Sequence, residues 1–291
     1  MSKQNRDAKK LANELILVSL VMVGLLLVWD AATRIDGFNE RQLQLAEQSV
    51  RAASNELDTY ITGYQRAVDI FAEENRFFLS NVELWPQDME LYSELKDKID
   101  RFFPDNLSFT IADEHGQTLL EGMEALIGPQ CRNDIEVFSR QLSGHLTYCH
   151  ATPTGKYHHF DLMTHWEGSN SSNDIFFISV TTDRVKQILA NANVLGHLLM
   201  LVRQDNPTRV DVIPDSDQPV LINERELSPA ELRRVSESLP IDNTRWNVVS
   251  LPLNNLYSEA HRNILVRSIL IFMGFVAVSA LMRMILLDSD R

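Results

Sequence analysis

The sequence predicts an α+β protein in which a long N-terminal helix precedes antiparallel sheet lobes, with a transmembrane helix near each end of the chain. Three observations carry that reading. Two apolar runs, "LILVSLVMVGLLLVW" at residues 15–29 and a second at residues 264–287, bracket an acidic span. Apolar residues then recur in steps of three and four from residue 43 onward, the mark of a helix. Beyond residue 104 the spacing changes to alternation, the mark of half-buried strands.

Residues 1–10 carry Lys3, Arg6, Lys9 and Lys10 and are assigned to the cytoplasm by the excess of positive charge. The first membrane helix covers residues 11–32, since crossing about 30 Å of hydrocarbon takes roughly 20 residues. A cleavable signal peptide is the rival reading of this run, but "VWDAATR" offers no small-x-small cleavage site. The second membrane helix, residues 264–287, contains Arg267 and Arg283 near its ends, where their stems can reach headgroups. Two crossings return residues 288–291 to the cytoplasm. A chain ending there is expected to be either the front half of a longer protein or a module acting on a separate membrane partner.

Whole-chain composition is 40 acidic and 27 basic residues, and the span from Asp30 to Asn263 holds 36 acidic and 20 basic, a net −16. Such a surface repels nucleic acid and anionic lipid. With 44% hydrophobic residues the chain is a folded one.

Residues 33–103 are a helical stalk with packing helices. Ala46, Val50, Ala53, Leu57, Tyr60, Tyr64, Ala67 and Phe71 form one seam, which serves packing on its own domain, a homodimer contact, or both at different heights. A shorter amphipathic helix ends at Pro104. Residues 104–192 form a first lobe, distal to the membrane, in which "LSFTIADEHGQTLLEG", "HLTYCHATP", "KYHHFDLMTHW" and "DIFFISV" supply a five-stranded antiparallel sheet, closed by the helix "TTDRVKQILANA". Residues 193–252 form a smaller membrane-proximal α/β lobe: a hairpin turning at Asp205 to Pro207, a capped helix "LSPAELRRVSESL" and the strand "TRWNVVSLP". Residues 253–263 link it helically to the second span.

This order of elements, and especially "GHLLMLVRQDNP", "LSPAELRRV" and "TRWNVVSLP" ahead of a membrane helix, resembles the periplasmic Cache, or PAS-like, sensory regions of bacterial membrane-bound signalling proteins. The similarity is greatest to the input halves of GGDEF diguanylate cyclases, with relatives among histidine kinases and chemoreceptors. The resemblance implies a two-pass protein of the bacterial inner membrane, both termini cytoplasmic and the main domain periplasmic, that receives a small-molecule ligand or an ambient condition. It also implies a homodimer and a cytoplasmic signalling enzyme as output, in the same chain or in a partner. No cyclase, kinase or methyl-accepting region follows Leu287, and the aromatic and arginine pattern that some double-Cache members use for amino acids is not found.

Candidate ligand contacts on the inner face of the distal sheet are Tyr148, His158, Phe160, Thr164 and Phe176, with Arg132, Arg140 and Lys156 available to balance an anion. Cys131 and Cys149 are candidates for a disulfide, worth about 3 kcal/mol in an oxidising compartment. The densest set of ligating side chains is His145, Cys149, His150, His158, His159, Asp161 and His165. Strand alternation places His159, Asp161 and His165 on one face, and an adjacent strand can bring His145 or His150 opposite; the three with His145 are the alternative metal set. The spacing matches no standard zinc or haem motif, so no cofactor is predicted. Histidines in this compartment also suit pH sensing. No nucleophile elbow, phosphate-cradling loop or paired-carboxylate motif is present, so no enzymatic role is expected of this chain. A periplasmic scaffold and a metal- or haem-dependent periplasmic enzyme are the alternatives to a receptor.

Overall fold

The computed structural model describes residues 3–120, 127–140, 147–151, 158–169, 173–214 and 226–288. The chain divides into two compact units, Ala46–Pro252 and Met1–Leu45 with Leu253–Arg291.

The larger unit starts within α1 (Lys3–Glu74). Ala46, Val50, Ala53, Leu57, Ile61, Val68 and Phe71 are buried along one side of this helix, with Tyr60, Tyr64 and Ala67 packed beside them. The seam therefore packs on its own domain. α2 (Arg76–Leu84) and α3 (Met89–Phe102) follow. The Asp88 carboxylate accepts the backbone N–H groups of Glu90 and Leu91 and so caps α3; Pro104 lies just past its end.

Four strands make the first sheet: β1 (Asn106–Ala112), β2 (Cys149–Ala151), β3 (His158–Glu167) and β4 (Asn173–Thr181), in the antiparallel order β1-β4-β3-β2. Between β1 and β2 lies α4 (Pro129–Ser139). After α5 (Asp183–Ala192) comes the second antiparallel sheet, β6-β5-β8-β7, formed by β5 (His197–Arg203), β6 (Val210–Val212), β7 (Glu237–Pro240) and β8 (Trp246–Pro252). The one-turn helix α6 (Pro229–Leu232) precedes β7.

Three details differ from the sequence reading. Among the described residues the first sheet has four strands, because "QTLLEG" contributes only the isolated bridge Ala112 to Thr118. The helix from Ser228 runs for one turn: Ser228 and Glu231 form a reciprocal capping box, but "ESLP" is drawn into β7 against β8. No disulfide joins Cys131 and Cys149. Both are buried outside any disulfide, and they sit on opposite sides of the first sheet: Cys149 pairs with Phe160 in register and packs in the α1-side core, whereas Cys131 packs on the α4 side.

One core serves both sheets. Phe71 lies 5.4 Å from Phe103 and 5.2 Å from Phe176 between ring centroids, and Phe160 of the first sheet lies 5.8 Å from Trp246 of the second. Each such ring, fully buried, is worth about 1.5 to 3 kcal/mol. A hydrogen bond reinforces the junction, the Arg245 N–H donating to the Thr147 carbonyl at 2.9 Å, and within the second sheet the Trp246 indole N–H is held by Asp211 at 2.9 Å.

The other unit pairs the first part of α1 with α7 (Leu256–Asp288). Both helices are long and apolar enough to cross a membrane. Leu17, Leu25, Val28, Leu270, Met273 and Leu281 are exposed along them, as a lipid-facing surface requires. A methyl group on Gly24 would meet the Phe272 ring at 3.5 Å, so the two helices approach closely there.

Candidate functional site

The first sheet has an apolar face and a mixed one, in which Met163, Ile175 and Phe177 lie beside polar side chains. Along β3 the even-numbered residues Phe160, Leu162 and Trp166 enter the core beneath α1, together with Phe176, Ile178 and Val180 of β4. The odd-numbered residues His159, Asp161, Met163 and His165 point the other way, towards α4. Register extends this second face to the neighbouring strands, since His150 of β2 stands opposite His159, and Ser179 and Phe177 of β4 stand opposite Asp161 and Met163.

α4 covers that face. Gly128 and Pro129 start the helix, proline occupying a first-turn position where its missing N–H costs nothing. Cys131, Asp134, Ile135 and Phe138 then follow at steps of three, one and three and are all buried. Gly116, in the turn after β1, makes room for the helix. Its φ is +80°, and a methyl group there would lie 2.7 Å from the Glu136 Cα.

The result is a buried group of four ligating side chains: Cys131, His150, His159 and Asp161, whose ligand atoms all lie within 4.8 Å of one another. Relative exposures are 1%, 8%, 0% and 1%, so bulk water does not solvate them. His150 Nε2 is 2.8 Å from Asp161 Oδ2. Ser179 Oγ donates to Asp161 Oδ1 at 2.7 Å. His159 Nε2 stands 3.5 Å from the Cys131 sulfur and 3.6 Å from Asp161 Oδ1. Burial pushes the His159 imidazole down to about 4, although the Asp161 carboxylate pulls it upward. Burial, and then the Asp161 charge, push the Cys131 thiol up.

Beside this group the buried Asp134 accepts the Tyr148 hydroxyl at 2.7 Å. Burial, helped by Asp134, raises the Tyr148 phenol. The Tyr148 ring is flanked by the guanidinium groups of Arg203 at 4.7 Å and Arg245 at 5.0 Å from its centroid, both from the second sheet and the turn that leads into it.

The five expected ligand contacts fall on different faces. Phe160 and Phe176 are core side chains under α1; His158 and Thr164 share their side of β3 and are half-buried. Tyr148 lies on the α4 side with His150. Of the metal set, His159 and Asp161 do come together. His165 instead stacks on Phe138, ring centroids 4.5 Å apart, and His145 lies outside the described residues, as does Lys156. Arg132 is exposed and Arg140 is ion-paired with Glu136.

Sequence reasoning points to Cys131 only as a disulfide partner, and counts His150 among the possible ligands an adjacent strand brings opposite β3 while naming His145 in the metal set. The signal for Cys131 is "GPQCRNDIEVF", a Gly-Pro start followed by helical apolar spacing. For His150 it is the β2 to β3 register, which a sequence does not display.

No protein-family model matches this chain, and no curated protein matches it. Solved structures do. The ligand-binding domain of the Pseudomonas fluorescens chemoreceptor CtaA, in complex with L-serine, superposes with a TM-score of 0.50 at 12% identity, covering 74% of this chain and 98% of that one. The sensor domain of the V. cholerae histidine kinase DctB gives a TM-score of 0.50 at 11% identity, with the same 74% and 98% coverage. The chain shares its fold with these two domains. This fold accounts for the order of elements seen here, a long helix followed by two antiparallel sheets in one compact unit.

Proposed function

We propose that this chain is a membrane-anchored sensor, the input module of a bacterial signalling system, whose Ala46–Pro252 unit lies in the periplasm and detects a small ligand or an ambient condition. One observation carries this reading: a sensory-domain fold stands between two helices that are each long and apolar enough to cross a membrane. The acidic surface and the basic N-terminus fit the same orientation.

The output lies in the cytoplasm, in this chain or in a partner. A ligand that favours one arrangement of the domain by about 1 to 3 kcal/mol suffices to bias it. A homodimer is the natural carrier of such a signal, because a symmetric pair converts a shift in each copy into a change at one shared interface.

Protease accessibility in spheroplasts tests the topology. Residues 46–252 should be digested from outside while a C-terminal tag survives. Protection of that unit in spheroplasts, with digestion in inverted vesicles, would overturn the assignment.

A further inference from the structure

The buried group on the α4 side needs an explanation that core packing does not supply. His159 is fully buried; its Nε2 meets the Cys131 sulfur at 3.5 Å, the distance of a weak hydrogen bond to sulfur, and stands 3.6 Å from Asp161 Oδ1, longer than the 2.7 to 3.2 Å of an ordinary N–H···O hydrogen bond. Its other ring nitrogen, Nδ1, has no hydrogen-bond partner among the described residues. A buried ring nitrogen without a partner costs stability, so apolar packing alone does not account for a histidine here.

The same distances suit a metal ion. Zinc bonds of about 2.0 to 2.3 Å in a tetrahedron place neighbouring donors roughly 3.3 to 3.8 Å apart. The His159 to Cys131 and His159 to Asp161 separations both fall in that range. His150 Nε2 and Asp161 Oδ2 are closer, at 2.8 Å, as expected where a proton lies between them.

We propose that Cys131, His150, His159 and Asp161 bind one divalent transition-metal ion of the zinc type. The donor set selects the ion: one thiolate and two imidazoles favour zinc and its borderline neighbours over calcium or magnesium, which prefer oxygen alone. Charge selects it too. The Cys131 thiolate and the Asp161 carboxylate neutralise a divalent cation, so the occupied site carries no net charge into a low-dielectric interior. Two protons leave to solvent on binding, one from the Cys131 thiol and the one between His150 and Asp161. Ser179, donating to Asp161 Oδ1 at 2.7 Å, fixes the orientation of that carboxylate.

The ligands come from α4, β2 and β3, so the ion ties the covering helix to two strands of the sheet. Binding rests on this geometry alone and holds whether or not the chain signals, so the topology experiment and this one fail separately.

The test is a titration of the metal-stripped full-length protein in detergent with cobalt(II), followed by zinc. One equivalent of cobalt should produce the visible bands of a tetrahedral ion and a near-ultraviolet thiolate-to-cobalt band, both abolished by zinc. Cys131→Ser should remove the thiolate band, whereas Cys149→Ser, on the other face of the sheet, should retain it. Ser179→Ala should weaken zinc binding by about tenfold or more while keeping the spectrum. The absence of a thiolate band in the unaltered protein would overturn the proposal without reference to any variant. So would a band that survives Cys131→Ser and disappears with Cys149→Ser.

Discussion

The two faces of the first sheet are built from the same strands and each packs under a helix, yet only the α4 side sets a cluster of ionisable groups beside its apolar contacts, which include Met163, Ile175 and Phe177 against Ile135 and Phe138. On the α1 side, Phe160, Leu162, Phe176, Ile178 and Val180 join a core shared with the second sheet. On the α4 side, one residue along, His159, Asp161 and Ser179 are equally inaccessible but polar. Apolar burial gains free energy in proportion to area, whereas a buried ionisable group loses hydration that only good partners restore. The contrast teaches that apolar packing on both faces specifies the fold and that the polar group within the α4 face carries a cost for some other purpose.

The largest effect that would test this division comes from truncating the α1 face. Phe176 is fully buried and touches Phe71 through its ring, so Phe176→Ala should destabilise the protein by about 3 to 5 kcal/mol in chemical denaturation. A loss below about 1 kcal/mol would mean that this face is not the packed core described above.

Next in size is the support of α4. Gly116→Ala places a methyl group against the Glu136 Cα in a left-handed backbone conformation, which should cost on the order of 2 kcal/mol. Because the clash pushes on α4 itself, the substitution should also disturb the Cys131 to His159 approach, seen as weakened cobalt binding. Lost stability with unchanged binding would show that the turn and the cluster are uncoupled.

A smaller effect sharpens the comparison from the polar side. Replacing His159 by leucine removes a poorly bonded buried ring and leaves Asp161 its Ser179 and His150 partners. In metal-free protein, His159→Leu should therefore change stability by no more than about 1 kcal/mol, in contrast to Phe176→Ala. A loss as large as that of Phe176→Ala would make His159 a structural residue.

How much of this is legible in the sequence follows from which interactions are local. Alternation in "HHFDLMTHW" is enough to separate His159, Asp161 and His165 from Phe160, Leu162 and Thr164, because the two-residue period is a property of the strand itself. The Asp88 cap, the Ser228 capping box and the membrane helices are similarly local. The cluster is not. His150 joins it through strand register, and Cys131 through the docking of a helix that the spacing in "GPQCRNDIEVF" supports but no strand pattern announces. Sequence reasoning groups Tyr148 with Phe160 because it does not reveal that β2 pairs Cys149, not Tyr148, with Phe160. The Ser228 helix is shorter than its sequence suggests for a related reason: the ladder with β8 wins "ESLP" over helix propensity.

The smallest expected effect contrasts two buried histidines. His197 of β5 has a partner at true hydrogen-bond distance, its Nδ1 lying 2.9 Å from Ser250 Oγ, whereas the Nδ1 of His159 has none among the described residues. Burial holds the His197 pKa below the ordinary value of 6.5. A histidine depressed in the folded state takes up its proton more readily when unfolded, so its contribution is fully present above pH 6.5 and is lost as pH falls below that value. Denaturation curves of the unaltered protein and of His197→Gln should therefore keep a constant offset above that pH and converge or cross as acid is added, because only the histidine protein carries this part of the acid slope. A difference that stays constant across the whole acid range would mean that His197 folds with an unshifted pKa. The buried position would then be open to water, and the second sheet would be no drier at this point than the protein's surface.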